Sequence, residues 1–223
     1  MAGRRATKAT KAPALGPLAV AEIDFQLSLL RSQCPEGVYI EPDTSNPGTW
    51  HGVVFVRSGI FQGGIFRFDI VFPPTSQRLA PQVYFPPTLL HPLLDPATGR
   101  LSLVLRFSSG WDPRTSTVLK LLLYLKSIFQ PSILDATSER IAANVEVLRM
   151  YRDDRPLFLK LAHQAVALSS SEAALYERGQ AASYPSYGSQ SDISTGAGIH
   201  FSRKMDEAAL RREIFEDEDE DRT

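Results

Sequence analysis

The chain of 223 residues has one cysteine, Cys34. A lone thiol can form neither an intramolecular disulfide nor a cysteine cluster for a metal, and such scarcity suits a reducing compartment. No apolar run reaches the roughly 20 residues that a membrane-spanning helix needs. The greasiest stretch, Val118 to Ile128, is interrupted by Lys120 and Lys126, so no direct membrane insertion is expected. Charge of one sign is not in surplus either. The net charge of -1 removes the basic footprint that binding to nucleic acid leaves on a composition. The first residues, MAGRRATKATKAP, contain no acid and are basic as a mitochondrial presequence is. They also lack the apolar face of such a helix, so residues 1–16 are expected to be a disordered basic arm. There is no internal repeat and no motif that calls for a cofactor. What is present is 43% hydrophobic and 22% charged residues, the composition of a globular protein large enough to bury a core without disulfides.

From Pro17, apolar residues recur at helical spacing (Val20, Ile23, Leu27, Leu30) until Pro35 and Gly37 stop the pattern. Three strand-like runs follow, 38–41, 50–57 and 64–72. In the last, Phe66, Phe68, Ile70 and Phe72 alternate with Arg67 and Asp69. The connections are too short for crossover helices, which predicts an antiparallel meander completed by a fourth strand at 83–85. Residues 86–115 hold seven Pro and Gly and show no period; so long an irregular stretch inside a domain points to a functional segment. A buried helix is expected over 116–130, ended by Pro131, and a further helical region over 138–168, broken near Pro156. The order of elements predicts an α+β fold, a four-stranded antiparallel meander flanked by N-terminal and C-terminal helices. The domain is expected to span 17–168. A linker at 169–202, a short helix at 203–215 and an acidic tail at 216–223 follow it.

The irregular segment carries the main signal. It reads PPTSQRLAPQVYFPPTLLHPLLDPATGRLSLVL from Pro73, then GWDPRTSTVLKLLLYL from Gly110. The Pro73-Pro74 pair, Pro81, the strand at 83–85, His91-Pro92, Gly99, Leu103 and Trp111-Asp112-Pro113 come in a fixed order. In that order the chain resembles the ubiquitin-conjugating enzymes over some 60 residues. The resemblance implies the ubiquitin-conjugating-enzyme fold and places two departures at its chemistry. The Asn of the family's His-Pro-Asn motif is Leu93, which offers no donor to a developing oxyanion. The nucleophilic cysteine aligns with Ser102, a weak nucleophile without an adjacent base. His91 is a conceivable base for Ser102, with Asp95 nearby in sequence, but a structural histidine bonded to backbone is the stronger expectation. Cys34 lies far upstream and reads as a filler or surface thiol. Trp50 and Trp111 read as core or as cover for a helix junction. The site is therefore expected to be degenerate and the chain not an enzyme.

Among cysteine-less variants, two strings narrow the choice: GVYIEPDTSNPGTWHGVVFVRSGIFQGGIFRFDIVFP and LHPLLDPATGRL. With DEAALRREIF in the tail, they resemble the Fused Toes family, also called AKT-interacting protein. The resemblance covers about residues 20–168. It departs in a short N-terminal arm, in Gly63-Gly64 where members often have Asp-Gly, and in the terminal acids. It implies a scaffold that joins a Hook-family coiled-coil adaptor and an FHIP-like protein in the FHF complex, linking endosomes or vesicles to dynein on microtubules. An AKT-like kinase and HOPS components are further implied partners. The implied location is cytoplasmic, peripheral on vesicles through those partners. The alternative on the same fold is a ubiquitin-binding cofactor of an active conjugating enzyme. A last expectation comes from the residues themselves. Met205, Leu210, Ile214 and Phe215 return apolar character after the linker, and a helix of about 13 residues is marginal alone, so it needs a surface to pack on. A protein partner is the functional reading; folding back onto its own domain, or staying disordered, is the other.

Overall fold

A computed structural model describes residues 15–74, 79–112, 115–176 and 199. Helix α1 (Pro17–Gln33) starts on a proline, whose missing N–H costs nothing in a first turn. Strands β1 (Val38–Pro42), β2 (Thr49–Phe55), β3 (Ile65–Val71) and β4 (Gln82–Tyr84) then form one antiparallel sheet in chain order, the meander that the short connections predict. The register places Val38, Val54 and Phe66 in one row and Tyr39, Val53 and Arg67 in the next, on opposite faces. The inner face is aromatic and aliphatic: Trp50, Val54, Phe66, Phe68, Ile70 and Val83 are all buried. Gly52 belongs to this face, and the ring of Phe68 fills the place where its side chain would stand.

The helices cover that face. Helix α2 (Val118–Ser127) is capped by Thr117, whose hydroxyl accepts from the Lys120 N–H. It buries Val118, Leu121, Leu122 and Leu125 against the sheet. Phe129 closes the layer, stacked on Phe66 at 5.2 Å. Pro131, expected to end the preceding helix, instead opens a new one. Helix α2 has already stopped at Ser127, and α3 (Pro131–Ala136) takes the proline in its first turn. The long helix expected over 138–168 also differs. Residues 138–144 are not helical, and α4 (Val145–Asp153) begins behind the cap of Asn144. The break falls at Asp154, and Pro156 sits in the first turn of α5 (Arg155–Ser169). One more short helix, α6 (Glu172–Tyr176), lies within residues 169–202, where a linker was expected. At the other end of the domain, Leu15, expected in the basic arm, packs on the core. The rest of the arm, the acidic tail and residues 203–215 lie outside the described residues.

Candidate functional site

The irregular segment after β4 is held by backbone pairing of short reach. Tyr84 bridges Arg100, and Leu94 bridges Leu101. Between them Asp95 organises a tight turn: its Oδ1 accepts from the Ala97 N–H, the Thr98 N–H and the Thr98 hydroxyl. Those bonds from Thr98 lower the pKa of its carboxyl. Asp95 is thus occupied by its own turn and orients no histidine. Gly99 completes the turn at φ 71°, with the Phe85 carbonyl 2.1 Å from where a Cβ would be. Only glycine fits there.

This turn brings His91, Leu93 and Ser102 together. The Ser102 N–H donates to the Leu93 carbonyl at 2.8 Å. The Leu93 N–H donates to His91 Nδ1 at 3.1 Å, and His91 Nε2 lies 3.0 Å from the Ile128 carbonyl. A carbonyl can only accept, so Nε2 carries the proton and Nδ1 is the acceptor. Both ring nitrogens are committed to backbone. The ring is buried, and burial depresses its pKa to about 4. His91 is therefore a neutral structural strut between the turn and the end of α2, with no lone pair left to take a proton from Ser102.

Leu93 is fully buried and its side chain belongs to the core cluster. The Ser102 hydroxyl is half-buried and has one distant partner, the Ile141 carbonyl at 3.4 Å. The Ser102 carbonyl accepts from the Tyr124 hydroxyl at 2.9 Å, and burial pushes that phenol's pKa up. None of these groups is a base for the serine. Ser102 opens onto a shallow groove of about 760 Å³ between the turn and the loop that holds Phe107 and Trp111. Trp111 tilts against Phe107 at 5.2 Å and covers the junction with α2; Trp50 lies in the core against Phe72. Cys34 caps α1, its thiol against the Val38 carbonyl and its pKa raised by burial. Among the described residues no cluster of His, Cys, Asp and Glu could hold a metal ion, and no helix is long and apolar enough to cross a membrane. The expected contact residues Met205, Leu210, Ile214 and Phe215 lie outside the described residues.

Sequence reasoning missed Tyr124 and the Ile141 carbonyl, whose roles depend on tertiary placement alone. It also missed a polar cluster on the outer sheet face. His51 Nδ1 donates to Asp69 Oδ1 at 2.7 Å, and its Nε2 faces the buried Asp43 Oδ2 at 3.5 Å. Alternation along β2 and β3 puts His51 and Asp69 outward, and the register pairs them. The signal was present for anyone who aligned those two strands.

The sheet, its covering helices and the proline-flanked segment with its histidine strut define a class. The ubiquitin-conjugating-enzyme family model matches residues 22–166, and the chain belongs to that family. A crystal structure from Plasmodium yoelii assigned to the ubiquitin conjugating enzymes superposes with a TM-score of 0.58 at 20% identity. That match covers 70% of this chain and 97% of the other, which establishes the fold. Within the family, the homologues are AKT-interacting and crossbronx proteins, the Fused Toes group. A protein AKTIP homolog of Nematostella vectensis is 35% identical, over 56% of this chain and 41% of its own length. AKT-interacting protein homolog B of Xenopus laevis is 31% identical over 66% and 48%, and the protein crossbronx homolog of Anopheles gambiae is 33% identical over 66% and 64%. The chain thus spans between 41% and 64% of the length of these relatives.

Proposed function

We propose that this chain is a non-catalytic ubiquitin-conjugating-enzyme variant that serves as a protein-binding scaffold. The observation that carries the first half is the state of His91. With one ring nitrogen donating to Ile128 and the other accepting from Leu93, the group nearest in chemistry to a base is unavailable to Ser102. A serine without a base is a poor acyl acceptor at neutral pH, and an oxyester is a poorer donor than a thioester. Leu93 adds no amide to steady an oxyanion.

The second half is supported by the Fused Toes relationship. The proposed assembly contains a Hook-family coiled-coil adaptor and an FHIP-like protein, and connects endosomes or vesicles to dynein. The chain sits on the vesicle through those partners. An AKT-like kinase is a further proposed partner, in keeping with the names of the homologues, and HOPS components are another. The helix proposed over 203–215, with Met205, Leu210, Ile214 and Phe215, is the proposed contact for the coiled coil. Affinity capture on the tagged full chain tests the assembly: a Hook homologue and an FHIP-like protein are expected among the retained proteins, and loss of both sinks the reading. The chemistry is tested separately. Incubation with activating enzyme, ATP and ubiquitin is expected to leave no hydroxylamine-sensitive adduct on Ser102.

A further inference from the structure

Two buried polar atoms face each other on the outer side of the sheet. They are Nε2 of His51, on β2, and Oδ2 of Asp43, just past the end of β1, and they stand 3.5 Å apart. Neither has a hydrogen-bond partner among the described residues. The other atom of each group is committed. Asp43 Oδ1 accepts from the Ser45 N–H and hydroxyl, each at 2.7 Å, and from the Asn46 N–H at 3.2 Å. His51 Nδ1 lies 2.7 Å from Asp69 Oδ1 on β3; a carboxylate only accepts, so Nδ1 holds a proton in the charged ring and in the neutral one. Titration of the ring therefore falls on Nε2. In the imidazolium it is a donor aimed at a carboxylate. In the neutral ring it is a lone pair set against a carboxylate, both out of contact with water. A gap of 3.5 Å has no room for a bridging water, which needs about 2.8 Å on each side.

Asp43 organises the turn over 43–48 that joins β1 to β2. Its N–H donates to the Thr49 carbonyl, and the Thr49 N–H donates to the Asn46 carbonyl. The Phe72 N–H donates to the Gly48 carbonyl at 2.8 Å, which ties the turn to the chain just after β3. Leu15 leans on the same turn: its side chain comes within 3.1 Å of the place that a Cβ would take on Gly48. The turn is thus a seat for the chain that leads into α1. We infer that His51 is a proton-operated clasp, which when charged holds the 43–48 turn and its Leu15 contact closed and when neutral lets them open. The charged and titratable groups around the ring come from each neighbouring strand. Glu41 stands beside His51 on β1, Asp43 comes from the turn, and Asp69 and Arg67 come from β3, where Arg67 donates to the Ala174 and Leu175 carbonyls of α6. Tyr84 of β4 and Arg100 continue the row beyond Asp69. The hydrogen bond to Asp69 raises the pKa of the ring; burial opposes this, and the charges of Asp69 and Asp43 add to the rise. The clasp is therefore closed below the ordinary histidine value of about 6.5 and opens as pH rises through the raised one. The opening is confined to the turn, so it differs from a loss of overall stability, and it does not depend on the scaffold reading.

Hydrogen–deuterium exchange on the full chain reads the clasp. The quantity is the protection of the Asn46, Thr49 and Phe72 amides divided by that of the β2–β3 ladder at 52–54 and 66–68 in the same sample, so that the intrinsic pH dependence of exchange cancels. In the wild type this ratio is expected to fall about tenfold between about pH 6 and about pH 9, as the neutral ring leaves Asp43 Oδ2 unsatisfied. Two variants fix the cause. His51→Gln should make the ratio independent of pH. Asp43→Asn keeps Oδ1 for its three donors and puts an amide N–H where Oδ2 was, which can donate to the neutral ring but not to the imidazolium. Its ratio should therefore rise with pH, the reverse of the wild type, and a merely structural role for Asp43 would not reverse the sign. A flat ratio in the wild type overturns the inference. So does a pH dependence that survives His51→Gln, and so does an Asp43→Asn ratio that falls with pH as the wild type does.

Discussion

His51 shows how a single side chain ties pH to the fold. Its hydrogen bond to Asp69 raises its pKa; burial works against this, and the charges of Asp69 and Asp43 add to the rise. Asp43 is pushed up by burial, but hydrogen bonds from Ser45 and Asn46 and the charge of His51 outweigh that, and its pKa is net lowered. The sign for His51 follows from linkage. A histidine whose pKa is raised by folding stabilises fully below its ordinary value of about 6.5, and the stabilisation fades as pH rises through the raised value. Melting temperatures measured from pH 5.5 to 9 are therefore expected to fall for the wild type relative to His51→Gln. The difference should amount to about 1–2 kcal/mol, the worth of a charge-assisted hydrogen bond. A flat difference across that range would show that folding leaves the His51 pKa unchanged. Gly99 makes a second case at the same scale. Alanine there needs a φ of 71° and a Cβ 2.1 Å from the Phe85 carbonyl. The turn must shift, taking Ser102 and Leu93 with it. Gly99→Ala should cost about 3 kcal/mol by denaturant unfolding.

At the scale of elements, Asp154 does two jobs in one position. Its N–H closes α4 on the Met150 carbonyl, and its carboxylate accepts from the Leu157 N–H to open α5. Asp154→Ala keeps the first bond and loses the second, so the expected cost is about 1 kcal/mol, or roughly 2–4 °C in Tm for a chain of this length. The same junction shows where sequence was readable. Pro156 marked a break, because a proline inside a helix removes a bond and clashes with the preceding turn. It did not say that the break would come two residues earlier, with the proline inside the next first turn. The sheet was legible because Phe66 to Phe72 alternates strictly and the connections are short. The start of α4 was not, since residues 138–144 carry helix-forming residues but are held open by tertiary bonds: the Ala143 and Asn144 N–H groups both donate to the Pro92 carbonyl. Motif order singled out the positions of Ser102 and Leu93, and the proposed roles rest on it. That both nitrogens of His91 are taken could not be seen, because Ile128 lies 37 residues further along the chain.

For the whole molecule, the proposed loss of chemistry rests on a position that belongs to the core. Leu93 is not a surface substitution beside an otherwise intact centre. It is fully buried among the residues that join the sheet to α2, and its backbone links His91 to Ser102. Restoring the amide therefore competes with folding. Leu93→Asn removes a packed isobutyl group and leaves a buried amide with donors and acceptors to satisfy, at an expected cost of about 3 kcal/mol. Ser102 differs: half-buried, with one long hydrogen bond, it should accept cysteine with less than about 1 kcal/mol of change. The two substitutions should thus separate. Ser102→Cys alone should melt within a few degrees of the wild type and, even if its thiol takes ubiquitin from the activating enzyme, should not pass it to lysine faster than to water. Adding Leu93→Asn should lower stability by nearly its full separate cost without raising transfer, because the introduced amide is directed into packed hydrocarbon and His91 remains bonded on both nitrogens. The measurement is paired: chemical unfolding of each variant, and single-turnover discharge of its ubiquitin adduct onto free lysine. If the double variant is as stable as the wild type and discharges rapidly, the site is a dormant catalyst two substitutions from activity, and the reading of this fold as a scaffold is wrong.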